Sequence, residues 1–438
     1  MRNYPSVGLQ APNILIPSKE VDLSKWAVVA CDQFTSQPEY WQQVKANVEG
    51  SPSVFHIILP EAYLGKEEET IHQSKIQKNM REYLDQGLFD EYEGMVYVER
   101  SVGNQARLGL IAALDLDQYD FQPNSKSLIR ATEGTIVDRL PPRIKIRKEA
   151  KIEIPHILVL IDDPEFKVID PIKKSREKLQ KLYDFDLMMG GGHITGYLVN
   201  NPDVERNIVI ALESLMSKEN ISNQYQVSDE PPLLFAVGDG NHSLASAKMV
   251  WEELKKKSFN NHPARYALVE LNNIHDPAIV FEAIHRLIIS PGLNLLEQFR
   301  KHFGDKISVI ELDQFEKMVQ RVNQQSKDEH LFGLLQEGKI YLMEWNKPPH
   351  TLVVGSIQKF LNDLISAHQE IMIDYIHGDK TLLELCKPSG NYGIFLPAID
   401  KNLLFKSVIK DGPLPKKAFS MGEAHEKRYY LEGRRITI

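Results

Sequence analysis

A mixed α/β or α+β fold is what this chain predicts, and three observations carry the prediction. Short apolar runs of strand length alternate with helix-period stretches along the whole chain. The two kinds intermix throughout, which neither an all-β nor an all-helical protein would show. The composition, 42% hydrophobic and 26% charged without low-complexity tracts, is that of a globular chain. At 438 residues the chain exceeds one small core, so two or three domains, or one large elaborated domain, are expected.

The elements follow in order. "KWAVVAC" is a short apolar run with paired valines, expected as a buried strand. "DQFTSQPEYWQQVKANVEG" leaves it through a polar loop into a helix, with Pro38 in the first turn, where its missing N–H costs nothing. "SVFHIILP", "GMVYVERSV" and "ARLGLIAALDL" are expected strands, and "EEETIHQSKIQKNMREYLDQGLF" a helix. "HILVLIDDP" reads as a strand ending in acids, "PIKKSREKLQKLYDFD" as a helix, and "PDVERNIVIALESLMSK" as another helix. The "PPLLFAV" strand, a polar junction and the helix "LASAKMVWEELKKK" come next. The stripe Leu244, Ala247, Trp251 and Leu254 has core spacing. The character changes near residue 290. The expected boundary at "SPG" gives a main region, 1–290, and a C-terminal α+β region, 291–438, packing back on it.

Charge and cysteine content exclude several classes. The net charge of −8 argues against a general nucleic-acid binder. Cys31 and Cys386 cannot make a disulfide framework, nor do they have zinc-site spacing. The amino terminus lacks the apolar run of a signal peptide, and no segment reaches the roughly 20 apolar residues that span a bilayer. A cytoplasmic protein acting on a small molecule, away from membranes and nucleic acid, is expected.

The stretch "VGDGNHSLASAK", residues 237–248, carries the densest chemistry. A strand, a glycine turn and a helix start together make an anion site, because the first helical N–H groups lack partners and the helix dipole is positive there. Gly238 and Gly240 let backbone approach a ligand, Asn241 stands in the same turn, and Ser243 is a candidate cap. Asp239 is suited to holding magnesium or accepting a proton, and His242 to contacting phosphate or metal. The alternative is an ordinary strand-to-helix connection. No Walker A loop occurs, and serine at 243 breaks a dinucleotide G-x-G-x-x-G.

"VGDGNHSLASA" resembles the "DGxHR" box of the ParB/sulfiredoxin-like superfamily, which includes free-serine kinases. Together with "WAVVACDQFTSQPEYW", "YDFDLMMGGGHITGYLV", "LVELNNIHDPAIVFEAIHR", "DYIHGD" and "FSMGEAHEKRYYLE", the chain is identified as a member of a bacterial family described as domain of unknown function 1015. The resemblance implies a ParB/sulfiredoxin-like nucleotide-binding core, with the box binding phosphates of ATP or ADP. It departs at Ser243, where the superfamily carries arginine. The missing guanidinium must come from elsewhere or be absent; Arg286, Arg143, Arg130 and Lys248 are candidate replacements.

Other polar clusters qualify as site residues. Asp32 in "CDQFTS" ends a buried strand, where α/β proteins place ligands, and suits a base or metal ligand; Thr35 and Ser36 could donate to phosphate. Glu133 in "IRATEGT", beside Arg130, is either an acceptor for a nucleophile's proton or, as the more ordinary reading, one side of a surface ion pair. His193 follows three glycines, which suits backbone approach to a ligand. Asp and His recur together in "GDGNH", "IHDP" and "IHGD". Two segments are locally basic: 138–151, with six Lys/Arg against two Asp/Glu, and the tail from Lys401, with nine against four. The tail, through Lys427 and Arg428, is a further candidate source of cations for the box.

Three functions fit. The first is a magnesium- and nucleotide-dependent phosphotransferase acting on a small hydroxyl metabolite, with Asp32, Glu133, Asp239 and His242 catalytic, Gly238, Gly240, Asn241, Ser243, His193 and Arg286 binding the nucleotide, and Asp239 holding the metal. The second is a metal-dependent hydrolase. The third is a non-catalytic, ParB-like nucleotide-binding protein.

Overall fold

A computed structural model describes residues 1–103, 105–257, 261–326, 329–368 and 370–437. The chain forms two compact units, one of Met1–Ile279 with Gly422–Ile438, the other of Val280–Met421. The expected boundary at "SPG" falls inside the second unit, after its strand Phe281–Ile289, and the tail from Gly422 belongs to the first. Both units mix helices with sheets, as the alternating pattern predicts.

The first unit is built on an eleven-stranded mixed sheet among the described residues. Its main path runs Gln180–Asp186, His193–Val199, Met95–Val102, Gln105–Asp115, Tyr266–Asn273, Leu158–Ile161, Phe235–Asp239, Ile129–Ala131 and Tyr119–Asp120. Two hydrophobic clusters line it. One takes Leu244, Ala247 and Trp251 from the helix after the box, with Leu254 packed alongside, so that stripe is core as its spacing predicts. The other gathers Trp26, Trp41, Val28 and Val29 with the tail residues Tyr429, Tyr430 and Leu431.

That second cluster joins the chain's ends. The tail strand Tyr429–Tyr430 pairs antiparallel with Val28–Val29, and Ala30 N–H donates to the Arg428 carbonyl. Residues just before the tail strand are thereby brought beside the "CDQFTS" loop.

Two local expectations fail for physical reasons. "SVFHIILP" forms a 3-10 turn over Val54–Ile57 instead of a strand; a short apolar run cannot by itself distinguish the two. "PIKKSREKLQKLYDFD" is helical only over Asp170–Ser175, with a further turn to Lys178, and Gln180–Asp186 is a strand paired with His193–Val199. The pairing available in the sheet outweighs the helix propensity of its lysines and leucines.

Among the described residues the second unit is a seven-stranded sheet with helices, including Leu295–Phe303 and Val353–Ala367. Among the described residues no helix is long and apolar enough to cross a membrane.

Candidate functional site

The box folds as its residues dictate. The strand Phe235–Asp239 is buried over Phe235, Ala236 and Val237 and half-buried at Gly238 and Asp239, and Gly240 turns the chain with φ +78°. A Cβ at Gly240 would lie 3.0 Å from Ile157 Cα, so a side chain here is excluded by conformation and by space.

Helix Asn241–Lys256 starts directly after the glycine. Its N-cap is Gly240, and no side chain caps it. Ser243 is the third helical residue and faces the cavity described below, so the expected serine cap is absent. The first N–H groups and the positive end of the dipole are left for another acceptor. Asn241 Oδ1 is also buried there without a hydrogen-bond partner.

His242 is anchored. The Ile136 N–H donates to its Nε2 at 3.3 Å. A backbone N–H only donates, so Nε2 is the lone-pair nitrogen and the proton of the neutral ring sits on Nδ1. Burial pushes the imidazole down to about 4, with repulsion from Arg143 and Arg139 adding to it. His242 is thus a neutral N–H donor through Nδ1, an arrangement that suits contact with phosphate and leaves no free lone pair for a metal.

Asp239 meets the tail. Its Oδ2 lies 3.4 Å from Lys427 Nζ, and its Oδ1 accepts the Gly240 N–H at 2.8 Å. Burial would raise this carboxyl, but Lys427 and His156 outweigh it and hold it below the usual range. Asp32 stands on the facing loop, with His156 Nε2 3.8 Å from its Oδ1. The loop is tightly held: Phe34 is fixed at φ +53° and stacks on Tyr40 at 3.8 Å, and the Trp41 indole donates to the Gln33 carbonyl. A bulky residue at positive φ is a strained arrangement that persists only where its surroundings impose it. The Thr35 hydroxyl donates to the Asp32 carbonyl, so it serves the turn.

A cavity of about 160 Å³, open to solvent, lies beside the helix start. Ser243, Ser246, His156 and Arg143 are among its polar lining residues. Arg143 comes from the basic segment, on helix Pro141–Glu149, and is ion-paired with Glu61.

The other expected site residues lie as follows. Glu133 is half-buried on the loop after strand Ile129–Ala131, between Thr132, whose hydroxyl donates to the Val237 carbonyl, and Ile136. It therefore runs past the box. His193 is exposed on a hairpin and bonds Asp184 and Asp186 at 2.7 Å each. The glycines before it serve the fold: a Cβ on Gly191 would strike Tyr429, and one on Gly192 the Ser101 carbonyl. Arg286 belongs to the second unit, fully buried, bonded to Gln358 and to the Ile284 and Lys417 carbonyls. Both are structural in this geometry. Arg130 likewise donates to carbonyls of Ser127, Pro231 and Pro232, and Lys248 to that of Leu116.

Of the two tail cations, Lys427 reaches the box and Arg428 does not. Arg428 is buried against Glu270 at 2.6 Å and against Glu432. Lys427 is set in place by Arg100, whose guanidinium takes the carbonyls of His425, Glu426 and Lys427 together with that of Gly191. His156, in "EIPHILVL", was missed by sequence reasoning: a lone histidine before an apolar strand carries no local signal.

The repeated Asp–His pairs do not converge. His275 bonds Asp162 at 2.6 Å, and Asp276 accepts the Leu108 N–H. His285 and Asp379 pair within the second unit. Among the described residues no three His, Cys, Asp or Glu side chains are grouped to hold a metal.

A family profile described as "Protein of unknown function (DUF1015)" matches residues 15–364. Among solved structures, a free serine kinase variant in complex with AMP is 13% identical over 75% of this chain and 93% of its own, with a TM-score of 0.39. Free serine kinase in complex with AMP gives 12% identity over the same shares and 0.38. A conserved hypothetical protein from Pyrococcus furiosus gives 12%, 75% and 96%, and 0.35. No curated protein matches the chain.

Proposed function

This chain belongs to the DUF1015 family, and we propose that it binds a nucleotide by its phosphates and transfers a phosphoryl group to a small hydroxyl-bearing metabolite. The observation that carries the reading is the uncapped start of helix Asn241–Lys256, opening beside a cavity with Lys427 and Arg143 close by.

In this reading the N–H groups of Asn241, His242 and Ser243 receive phosphate oxygens, and His242 adds its Nδ1–H. Lys427 and Arg143 replace the arginine that the box lacks. Asp32 accepts the acceptor's hydroxyl proton as the acceptor oxygen bonds to phosphorus and the bond to the leaving phosphate oxygen breaks. His156, beside Asp32, stabilises its charge and fixes its orientation. Gly238 and Gly240 serve close backbone approach. Glu133 remains the second candidate for proton acceptance.

Magnesium needs only one or two protein carboxylates besides phosphate oxygens and water, so the lack of a three-residue cluster is compatible with it. Asp239 would hold the ion, which would supply charge neutralisation across the phosphates. On Asp239 only the lone pairs not committed to Gly240 and Lys427 serve.

Thermal unfolding with ADP, ATP and magnesium tests the reading. A nucleotide at 100 times its Kd adds about 2.7 kcal/mol of stability. Asp32→Asn should keep that response while turnover of ATP with acceptor falls by orders of magnitude. A folded protein unresponsive to either nucleotide refutes the proposal.

A further inference from the structure

The cavity beside the box has two different ends. Ser243, His156 and Arg143 give it a polar rim at the helix start. Its body is walled by aliphatic side chains, among them Ile57, Met80, Ile146, Ile152, Ile154 and Ile436. Most of these are fixed in the core, with Ile152 fully buried and Ile57 and Ile436 each 3% exposed.

The charges in that wall are already neutralised. Arg143 is paired with Glu61. Arg147 is paired with Glu153 at 2.6 Å, and Glu153 also takes Arg434 at 2.7 Å. Burial would raise the Glu153 carboxyl, but the two arginines hold it low, so it stays ionised and keeps them engaged. A free amino acid placed there would have to compete with these ion pairs for partners to its ammonium and carboxylate. Burying a polar group without a compensating bond is unfavourable, and burying a charge more so.

We infer that the chamber takes the hydrocarbon body of an amphiphilic ligand, aliphatic or aromatic, whose hydroxyl or anionic head lies at Ser243 and the uncapped helix start. Identifying that ligand as the phosphoryl acceptor rests on the phosphotransfer reading; the ligand class rests on the chamber alone. A hydrocarbon body gains by leaving water and displaces no ion pair. The head faces the helix start, where an anion is favoured.

The probes are n-alkyl phosphates, ethyl to hexyl, titrated into the full chain by calorimetry, with ADP titrated separately. Affinity should rise about fourfold per added methylene until the chamber is filled. Ile146→Asn changes a half-buried residue of a surface helix, and should flatten that series while leaving ADP affinity unchanged. Ala150→Phe, which fills the chamber from a second wall position, should do the same. A series already flat in the wild type overturns the inference, as does a rising series that survives in both folded variants. A parallel loss of ADP in the variants also overturns it, because the chamber would then be a nucleoside pocket. Rising alkyl affinity without ADP binding leaves the inference standing and removes the nucleotide reading.

Discussion

Replacing Lys427 by methionine separates the two roles its ammonium holds. The side chain keeps its length and apolar stem but loses its charge, 3.4 Å from Asp239 Oδ2. At an effective dielectric near 20, that separation corresponds to about 5 kcal/mol of gross attraction. Desolvation offsets most of it, since the Lys427 and Asp239 side chains are only 11% and 19% exposed. Asp239 also keeps the Gly240 N–H, so the net stability loss should be about 1–2 kcal/mol, below the cost of orphaning a fully buried charge. Binding should suffer more. A charge-assisted contact to phosphate contributes about 1.5–3 kcal/mol, so ADP should bind roughly 10- to 150-fold more weakly. Lys427→Arg should recover most of that loss. Calorimetric titration gives the affinities, and urea unfolding the stability. A methionine variant that is destabilised but binds ADP as tightly as wild type would make Lys427 a structural partner of Asp239 and refute its role at the phosphates.

Two further outcomes follow from the same geometry. Arg428→Gln should cost about 3–5 kcal/mol of stability, because it strands the buried carboxylates of Glu270 and Glu432; if urea unfolding instead shows a stable variant with weakened ADP binding, the placement of Arg428 away from the site fails. Burial drives His72, His242 and His330 down to about 4 from the ordinary 6.5, so between those values the unfolded chain binds more protons than the folded one. Stability should therefore fall as pH drops from about 6.5 towards 4, and replacing His242 by glutamine should shallow that slope in thermal unfolding; an unchanged slope would contradict its buried, neutral state.

What could be read from the sequence was what is local. The strand, the glycine turn and the helix of the box lie within 22 consecutive residues, and their chemistry follows from adjacency. The core stripe through Leu244 and Trp251 is equally local. Long strands such as Gln105–Asp115 have enough apolar residues to declare themselves, whereas the run at Val54 is too short to choose between strand and turn.

The remainder depended on distant pairing. His156 matters because the Leu158–Ile161 strand pairs with Phe235–Asp239, which carries it to the box. Lys427 and Arg428 are neighbours of the same charge, and only the backbone clamp of Arg100 and the buried acids Glu270 and Glu432 decide which one reaches Asp239. Arg286 and His193 have residue types shared by ligand sites and structural networks, so type alone could not distinguish them. The glycines before His193 were read as backbone approach to a ligand; at Gly191 and Gly192 what is approached is the protein's own Tyr429 and Ser101, which no local pattern announces.

The central claim is that the start of helix Asn241–Lys256 receives phosphate. Ser243→Glu tests it most directly, because folding and binding should respond in opposite directions. A carboxylate in the first turn complements the helix dipole and should leave the unfolding midpoint unchanged or raise stability by about 0.3–1 kcal/mol. The same carboxylate faces the cavity at the place assigned to phosphate, where like-charge repulsion at about 4 Å amounts to roughly 4 kcal/mol at a dielectric near 20. Calorimetric titration with ADP should show binding in the wild type and a loss of more than about a hundredfold in the glutamate variant. Equal ADP affinity in the two proteins would contradict the account.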